Sequence, residues 1–357
     1  MPEFLSNEEI VIAARKRLEQ GPWDYLVGGS ESETSLRRNR LAFDRVAFRP
    51  RVLRDVSQID TSTMFLGHKL RIPVLLAPIG SLQAFDPGGG ATVAEAASEF
   101  GVTHVVSTAT QPGLEEIMAA STAPKIFQLY VRGDDAWVED IVTRVAKAGY
   151  GGLALTVDLA VESWRERPMI SRWTRPSRRV PFDRQYQAAL TWEKMEWIRG
   201  LTDMPFLLKG VQCAEDAELA VQHGVDVIWV SNHGGRQLDT AMGSLDVLRE
   251  VVDAVAGRAT VIMDGGVQRG SDILKAIAMG ASAVSIGRLQ GWGLAAAGKD
   301  GVVRVLEILE NEIISAMGLL GVTSIDQLGP EYLTVAERVT QPHEMSAWVN
   351  MPGNRLL

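Results

Sequence analysis

The stretch DVIWVSNHGGRQLD, residues 226–239, joins a short apolar run to a polar, glycine-rich turn. The run DVIWV is typical of a buried β-strand because it is almost continuously apolar. The turn after it carries an imidazole, His233, and a guanidinium, Arg236. A proton acceptor beside a planar anion-binding group favours chemistry on a small carboxylate-bearing molecule over a solvated loop with an incidental histidine.

Seven more runs of the same kind occur along the chain, and helical patterns separate them. Segments such as SLDVLREVVDAVAG (244–257) have helical spacing and end in a glycine that suits a helix C-cap. Eight strand–helix units over about 215 residues predict a (β/α)8 barrel, whereas a doubly wound open sheet normally needs fewer strands. The eight runs are PVLLAPIG (73–80), THVVSTA (103–109), KIFQLYV (125–131), GLALTVD (152–158), PFLLKG (205–210), DVIWVSN (226–232), ATVIMDGG (259–266) and SAVSIGR (282–288).

The rest of the chain is predicted to extend this barrel within a single domain. We expect residues 1–70 to form an N-terminal helical cap, 71–320 the barrel and 321–357 a C-terminal extension. An amphipathic pattern at 302–317 predicts a C-terminal helix.

Composition limits the classes of partner. The chain has 357 residues, 46% hydrophobic, with a net charge of −8 and a pI near 5.3, which argues against nucleic acid as the main partner. No apolar run approaches the roughly 18 residues of a membrane span, and the N-terminus lacks a signal-peptide core. The single cysteine, Cys213, permits no internal disulfide and is expected to be a structural bystander. These features predict a cytoplasmic protein without a membrane partner.

One connection, between Asp158 and Trp192, is unusually long and rich in arginine. Such a segment in a negatively charged protein could attract acidic substrates or an acidic redox partner. For most of its arginines we favour a mobile, solvated loop. They are Arg165, Arg167, Arg172, Arg175, Arg178, Arg179 and Arg184.

Polar residues and glycines follow the predicted strands. Ligands bind at the C-terminal face of a (β/α)8 barrel, and buried polar groups there cost free energy unless they find partners, so a polar ligand is expected. The turns DGGVQRG (264–270) and IGR (286–288) follow the last two strands, where barrels commonly bind phosphate, and Arg288 could add a bidentate contact. A phosphorylated cofactor is therefore predicted. The residues at the predicted strand ends are Pro78, Ile79, Gly80, Ser107, Thr108, Gln128, Tyr130, Thr156, Asp158, Lys209, Ser231, His233, Arg236, Asp264, Gly265, Gly266, Gly287 and Arg288.

With these motifs, the chain resembles the FMN-dependent α-hydroxy-acid oxidase and dehydrogenase family, which includes glycolate oxidase, lactate oxidase and mandelate dehydrogenase. The resemblance rests on SNHGGRQLD, TVD (156–158), LLKGV (207–211), DGGVQRG and IGR, and runs from DYLVGG (24–29) to the final helix. It implies a TIM barrel that binds FMN and oxidises an (S)-2-hydroxy acid to the 2-oxo acid. The electrons would pass to O2 or another acceptor. The resemblance also implies a homotetramer or octamer.

The resemblance implies a role for each motif residue. His233 would be the base and Asp158 would pair with its imidazole, by either a hydride or a carbanion route. Lys209 would lie near the flavin N1–C2 edge and stabilise its negative charge. Arg236 and Arg165 would bind the substrate carboxylate, and Tyr25 and Tyr130 would contact the carboxylate and hydroxyl. The other cofactor positions would be Ile79, Gly80, Ser107, Gln128, Thr156, Ser231, Asp264, Gly265, Gly266, Gln268, Gly287 and Arg288, with no metal ligand.

Each of these roles has a structural alternative. Asp158 could instead cap a helix, Tyr25 could be a packing aromatic, and Arg167 could take the place of Arg165.

Three positions depart from the family pattern. Thr108 stands where glycolate-oxidising relatives carry a bulky aromatic residue, which predicts a larger pocket and a substrate with a bulky or aromatic, mandelate-like substituent. Gly80 stands where many relatives have alanine, a change that could alter oxygen access or product release. Gln268 stands where arginine is usual, so one charge partner of the phosphate would be lost unless Arg269 compensates.

The connection after Arg165 is also short for the family and lacks the apolar insertion that attaches some mandelate dehydrogenases to membranes. The site is therefore expected to be open to solvent or covered by another subunit. Two other functions are weighed: an enzyme like type-2 isopentenyl diphosphate isomerase, which needs a diphosphate and a divalent metal, and a non-catalytic flavin-binding scaffold. The intact acid–base positions disfavour the scaffold.

Overall fold

Eight parallel strands close into a barrel in the computed structural model, which describes residues 4–179, 182–341 and 343–351. Each strand pairs with the next along the chain, and the eighth pairs with the first. The closed sheet confirms the predicted (β/α)8 barrel over the open sheet. The strands are β1 (Val74–Leu76), β2 (Thr103–Ser107), β3 (Lys125–Leu129), β4 (Leu153–Thr156), β5 (Phe206–Val211), β6 (Val227–Val230), β7 (Thr260–Asp264) and β8 (Ala283–Ile286).

The helices around the barrel shield apolar strands from water. Almost every residue of the eight strands is buried, as expected for parallel strands covered on both faces. The predicted final helix, 302–317, lies within a longer helix whose geometry breaks at Ala297 and Gly298. The helices between or after the barrel strands are Gly89–Phe100, Leu114–Ala119, Asp135–Ala148, Trp192–Gly200, Ala214–Gln222, Ser244–Val255, Gly270–Ala278 and Arg288–Leu320, with a short 3₁₀ turn at Leu82–Ala84.

The N-terminal segment forms a cap of three helices: Asn7–Arg17, Gln20–Val27 and Thr34–Asp44. The first packs against the long C-terminal helix. A strand at Val46–Phe48 then pairs antiparallel with Leu333–Val335, after the 3₁₀ turns Ile325–Gln327 and Pro330–Tyr332. No sequence pattern predicts this pairing between the N-terminal and C-terminal parts of the chain.

A hairpin closes the N-terminal end of the barrel. Its strands, Thr63–Phe65 and His68–Leu70, pair antiparallel. Phe65 and Leu70 are buried with barrel-interior side chains such as Leu75 and Trp229. Ligands must therefore approach from the opposite end, where β1–β8 terminate.

The strands are shorter than the predicted apolar runs, chiefly at their C-terminal ends. The run 226–232, for example, contains a strand only at Val227–Val230. Ser231 and Asn232 leave the ladder for a turn in which their side chains bond to other segments. The polar ends of the runs thus face a site instead of extending the sheet.

The arginine-rich connection is partly ordered. It contains short helices at Glu166–Ile170, Pro176–Arg178 and Gln185–Ala188. Its Trp173 packs against Tyr25 of the cap, with ring centroids 5.4 Å apart. Arg172 and Arg179 are exposed, as expected for a solvated loop, but this interpretation is wrong for Arg165, Arg167 and Arg175, which are buried or half-buried.

The structure also bears on membrane association. No helix within residues 4–179, 182–341 and 343–351 combines the length and apolar character needed to cross a bilayer.

Candidate active site

The turn after β6 holds His233 in an unusual backbone conformation. His233, Gly234 and Gly235 all have positive φ, at 58°, 65° and 74°. This left-handed region is readily accessible to glycine but uncommon for other residues. At Gly235 any side chain would also collide with the cap, because a Cβ atom would lie 2.5 Å from the Leu36 backbone. The two glycines therefore let the turn bend sharply and direct the imidazole into the barrel mouth.

His233 lies between an acid and a phenol. Its Nδ1 is 2.8 Å from Asp158 Oδ1, and its Nε2 is 3.4 Å from the Tyr130 hydroxyl. Asp158 follows β4 and contacts this imidazole, not a helix N-terminus. It has room because Gly210 faces it, where a Cβ atom would lie 2.7 Å from Asp158 Cβ. With Nδ1–H donated to the carboxylate, Nε2 is available to accept a proton.

The surroundings set the protonation states of this pair. Burial lowers the pKa of His233 more than Asp158 raises it, so the imidazole is neutral near pH 7. Burial alone would raise the pKa of Asp158, but His233 and Lys209 together bring it below the ordinary value. A neutral base beside a carboxylate suits proton abstraction, because the carboxylate stabilises the imidazolium that forms.

We expect kcat/KM for oxidation of a 2-hydroxy acid to fall as the pH decreases, with a midpoint below the ordinary histidine pKa of about 6.5. His233 must be neutral to accept a proton, and its lowered pKa keeps it neutral to a lower pH. The measurement is kcat/KM of the FMN-loaded protein between about pH 5 and 8, which reports the free enzyme's essential base. A midpoint above pH 7 would contradict the assignment.

A buried lysine lies beneath His233 within a second polar network. Lys209 Nζ donates to Ser231 Oγ at 2.7 Å and lies 3.2 Å from Asp264 Oδ2. Ser231 Oγ in turn donates to Asp264 Oδ1 at 2.7 Å. Burial alone would lower the pKa of Lys209, but Asp264 and Asp158 raise it, so a fixed ammonium stands at the base of the cavity.

Two guanidiniums line the same cavity as His233. Arg236 Nη1 donates to the Gly28 carbonyl at 2.7 Å, and its guanidinium lies over the Tyr25 ring at 4.9 Å. Arg165 is buried and donates through Nη2 to Gln237 Oε1 at 2.7 Å. Burial lowers the pKa of Arg165 to about 9 and that of Arg236 to about 10, so both stay charged near pH 7. The three predicted groups thus converge on one space.

The other predicted positions lie in the cavity wall or at the ends of neighbouring strands. Tyr25 donates to the Gly80 carbonyl at 3.0 Å. Arg167 forms ion pairs with Glu33 and Glu344 and is not part of the wall, so the structure favours Arg165 as the ligand-facing arginine. The cavity wall includes Tyr25, Ile79, Gly80, Tyr130, Lys209, Asp264, Gly265, Gly266, Gln268, Gly287 and Arg288. Ser107, Thr108, Gln128, Thr156, Asp158 and Ser231 lie at or just beyond the ends of the barrel strands β2, β3, β4 and β6.

The cavity fits a flavin in size and polarity. It has about 1490 Å³ of space free of protein atoms, including its opening to solvent. Gln128 Nε2 and Thr156 Oγ1 are buried without a hydrogen-bond partner among the described residues. Such groups cost free energy unless a ligand bonds to them, and an isoalloxazine ring offers carbonyl and nitrogen acceptors. Ser107 donates to Gln128 Oε1 at 2.9 Å, which leaves the Gln128 amide N–H free for a ligand.

The turns after β7 and β8 line the cavity where a phosphate group was predicted to bind. Gly265 and Gly266 have φ of 103° and 81°, and a Cβ atom on Gly266 would lie 2.9 Å from Asn39 Cβ. Arg288 projects into this part of the cavity and donates to the carbonyls of Gly28 and Gly234, each at 3.0 Å. A backbone-rich pocket with one guanidinium fits a phosphate group.

The structure shows what Gln268 does in place of the arginine that is usual in the family. Gln268 donates through Nε2 to the Glu344 carbonyl at 2.6 Å. Arg269 does not compensate for the missing arginine, since it pairs with Glu312 at 3.0 Å and lies over Trp348, outside the cavity wall.

The structure also explains positions 80 and 108. A Cβ atom on Gly80 would lie 2.8 Å from Ala109 Cβ, so alanine does not fit this backbone without a shift. Thr108 turns its hydroxyl toward the backbone, donating to the Gln128 carbonyl at 2.5 Å and accepting from Tyr130 N at 3.2 Å. Ala109, not Thr108, is the residue of this turn that faces the cavity.

Sequence reasoning missed several supporting residues. Gln187, in the arginine-rich connection, accepts from Val131 N at 2.7 Å and donates to the Thr156 carbonyl at 2.8 Å. Gln237 positions Arg165, as described above. A lone glutamine carries no pattern that marks such a role, although Gln237 lies inside the motif SNHGGRQLD.

Comparison with known proteins identifies the family of this chain. A sequence model of the FMN-dependent dehydrogenase family matches residues 14–335. The chain belongs to the FMN-dependent dehydrogenase family. It is 39% identical to L-lactate oxidase of Nostoc sp., covering 90% of this chain and 95% of that protein. It is equally similar to the peroxisomal (S)-2-hydroxyacid oxidase GLO3 of Arabidopsis thaliana, at 39% identity over 92% and 96% of the two chains. A crystal structure of mandelate oxidase superimposes with a TM-score of 0.87 at 38% identity, covering 94% and 100%.

Membership of the FMN-dependent dehydrogenase family confirms the predicted cofactor and reaction class over the isomerase and the non-catalytic scaffold. The protein is an oxidoreductase that acts on the CH–OH group of 2-hydroxy acids with FMN. FMN, when bound, accepts the two electrons removed from that group. Arg165 and Arg236 line the cavity that also holds His233, so they would bind the substrate carboxylate there, and His233 Nε2 would take a proton while Asp158 stabilises the resulting charge.

Proposed function

We propose that the protein oxidises an (S)-2-hydroxy acid with a bulky, mandelate-like substituent to the 2-oxo acid and passes the electrons to O2, giving peroxide. The proposal of a bulky substituent rests on the composition of the cavity wall that also includes His233, Arg165 and Arg236. The apolar part of this wall includes Val131, Leu159 and Phe85, and Ala109, the residue of the turn after β2 that faces the cavity, has a small side chain. Apolar, open space next to a carboxylate-binding pair favours a substrate whose substituent buries apolar surface.

The relatives bear on both the substituent of the substrate and the electron acceptor. Structures of mandelate oxidase, one with 3,3-difluoro-2-hydroxy-3-phenylpropionic acid, resemble this chain with TM-scores near 0.87, which favours an aromatic substituent. Relatives named for lactate and glycolate have similar sequence identity to this chain, so identity does not indicate the substrate. The proposal for the substituent therefore rests on the residues of the cavity wall. The (S) configuration and O2 follow from relatives named as (S)-2-hydroxyacid oxidases.

The test is anaerobic bleaching of the flavin absorbance in the FMN-loaded protein. We expect (S)-mandelate to give a second-order rate constant at least about tenfold above that of glycolate, because a buried phenyl ring adds apolar contact in the transition state. Ala109→Trp, which places a bulky aromatic side chain on the residue of this turn that faces the cavity, is expected to reverse the preference. Glycolate reacting as fast as mandelate would contradict the bulky substituent.

The acceptor is tested separately, after bleaching, by admitting air. Rapid return of the absorbance with one peroxide per substrate supports O2. Slow return, accelerated by an added quinone, contradicts it.

A further inference from the structure

The outer part of the cavity carries a group of arginines that the proposed reaction does not use. We call this the distal arginine cluster; its members are Arg132, Arg175, Arg178 and Arg184. All four line the same cavity as His233, at the end formed by the long connection after β4. Phe182 also lines it, with the guanidiniums of Arg132 and Arg184 at 4.6 Å and 5.8 Å from its ring.

The cluster has far more positive than negative charge. Three of its members, Arg175, Arg178 and Arg184, contact the same carboxylate, Glu162. Arg132 has no carboxylate partner among the described residues, and its Nε is buried without a hydrogen bond. Three guanidiniums thus share one carboxylate, and the fourth has none among the described residues.

This excess of positive charge favours the binding of an anion. Burial lowers the pKa of Arg132, and repulsion from Arg175 lowers it further. Burial and repulsion from Arg184 likewise lower the pKa of Arg178. An arginine nonetheless stays protonated in proteins, so the repulsion persists until an anion binds.

The cluster adjoins Arg165 and Arg236, the pair expected to bind the substrate carboxylate, but consists of different residues. Arg236, of that pair, lies over the Tyr25 ring at 4.9 Å, and Arg175 lies over the same ring at 5.8 Å. Tyr25 therefore connects two arginine sites along one cavity. A ligand held by Arg165 and Arg236 at one end would direct its substituent toward the other.

We propose that the bulky substituent of the substrate carries a second anionic group, a carboxylate or a phosphate, which the distal arginine cluster binds. The proposal rests on the proposed function, since it assumes a large substituent. Guanidiniums bind both kinds of oxyanion through paired hydrogen bonds. An acidic redox protein is a poorer fit, because Arg132 is half-buried in the cavity wall and packed on Phe182, out of reach of a flat protein surface.

The test compares ligands of one shape and different charge on the FMN-loaded protein. (S)-4-Carboxymandelate is compared with (S)-4-carbamoylmandelate, its neutral analogue, by anaerobic flavin bleaching. We expect the carboxylate to bind at least about tenfold more tightly at low ionic strength, and the advantage to shrink in high salt. (S)-4-Phosphonomandelate distinguishes the two anions: tighter binding than the carboxylate identifies phosphate as the preferred group.

Substitutions test whether the distal arginine cluster causes the tighter binding of (S)-4-carboxymandelate. Arg132→Met and Arg178→Met are each expected to remove most of the carboxylate's advantage while (S)-mandelate bleaches the flavin at its original rate. Arg172→Met is the matched control, since Arg172 lies in the same connection, is exposed and is not part of the cavity wall. It should keep the advantage; equal losses in all three variants would indicate a general field effect and overturn the site.

Failure of the two proposals can be distinguished. If mandelate bleaches the flavin but the carboxylate and carbamoyl compounds bind equally, the second anionic group is wrong and the proposed function stands. If no hydroxy acid bleaches it, the proposed function fails. Equilibrium titration with terephthalate and 4-carbamoylbenzoate, which have no oxidisable hydroxyl, then still tests the cluster, and equal affinities would overturn it.

Discussion

His233→Asn is expected to slow anaerobic flavin bleaching by a 2-hydroxy acid by about 10²–10⁴-fold. The imidazole Nε2 is the neutral acceptor nearest the Tyr130 hydroxyl, and Asp158 fixes its orientation from the other side. Asparagine keeps a polar side chain of similar reach but has no basic nitrogen, so the hydroxyl proton loses its acceptor. The measurement is the limiting rate of bleaching at saturating substrate.

The control for this variant is His223→Asn, which changes a histidine outside the cavity that stacks on Trp192. That protein should retain the full rate. FMN content should be normal in both variants, which separates a loss of chemistry from a loss of cofactor. A rate within tenfold of the unsubstituted protein in His233→Asn would mean that another group accepts the proton.

Arg236→Met is expected to raise the dissociation constant for the hydroxy acid about 100-fold, which corresponds to about 2.8 kcal/mol. The guanidinium stands in the cavity wall with Arg165, and burial has already lowered its pKa to about 10, so a bound carboxylate relieves an unfavourable environment. Arg236→Lys should recover only part of the affinity, because an ammonium lacks the planar pair of donors.

The substrate amide provides the control for Arg236. Mandelamide has the same shape as mandelate but no charge. Arg236→Met should therefore weaken the binding of mandelate much more than the binding of mandelamide. Equal weakening of both ligands would show that the substitution disturbs the pocket and that Arg236 does not recognise the carboxylate.

The sequence predicted the barrel well because parallel strands covered on both faces leave a local signal. Runs such as DVIWV are apolar almost throughout, and most are followed by a helix that ends at or next to a glycine. The site was predictable for a related reason: strand ends in a barrel meet at one face, so His233, Lys209 and Asp158 had to be neighbours.

What the sequence did not predict depends on contacts between distant segments. The three-residue strand Val46–Phe48 is too short for a periodic pattern, and only its pairing with Leu333–Val335 defines it. Thr108 was expected to face the pocket, but its hydroxyl bonds to the β3 backbone and Ala109 faces the cavity instead. Likewise the pairing of Arg269 with Glu312 could not be inferred from a spacing of 43 residues.

Arg167 determines which parts of this protein can be exchanged for those of a relative. Its guanidinium bridges Glu33 of the cap and Glu344 near the C-terminus, at 2.5 Å and 2.8 Å. Transplanting any one of these three segments alone leaves unmatched charges at a partly dry junction, which is costly. A chimaera that takes the arginine-rich connection from a relative should therefore also take the N-terminal cap and the C-terminal extension from that relative.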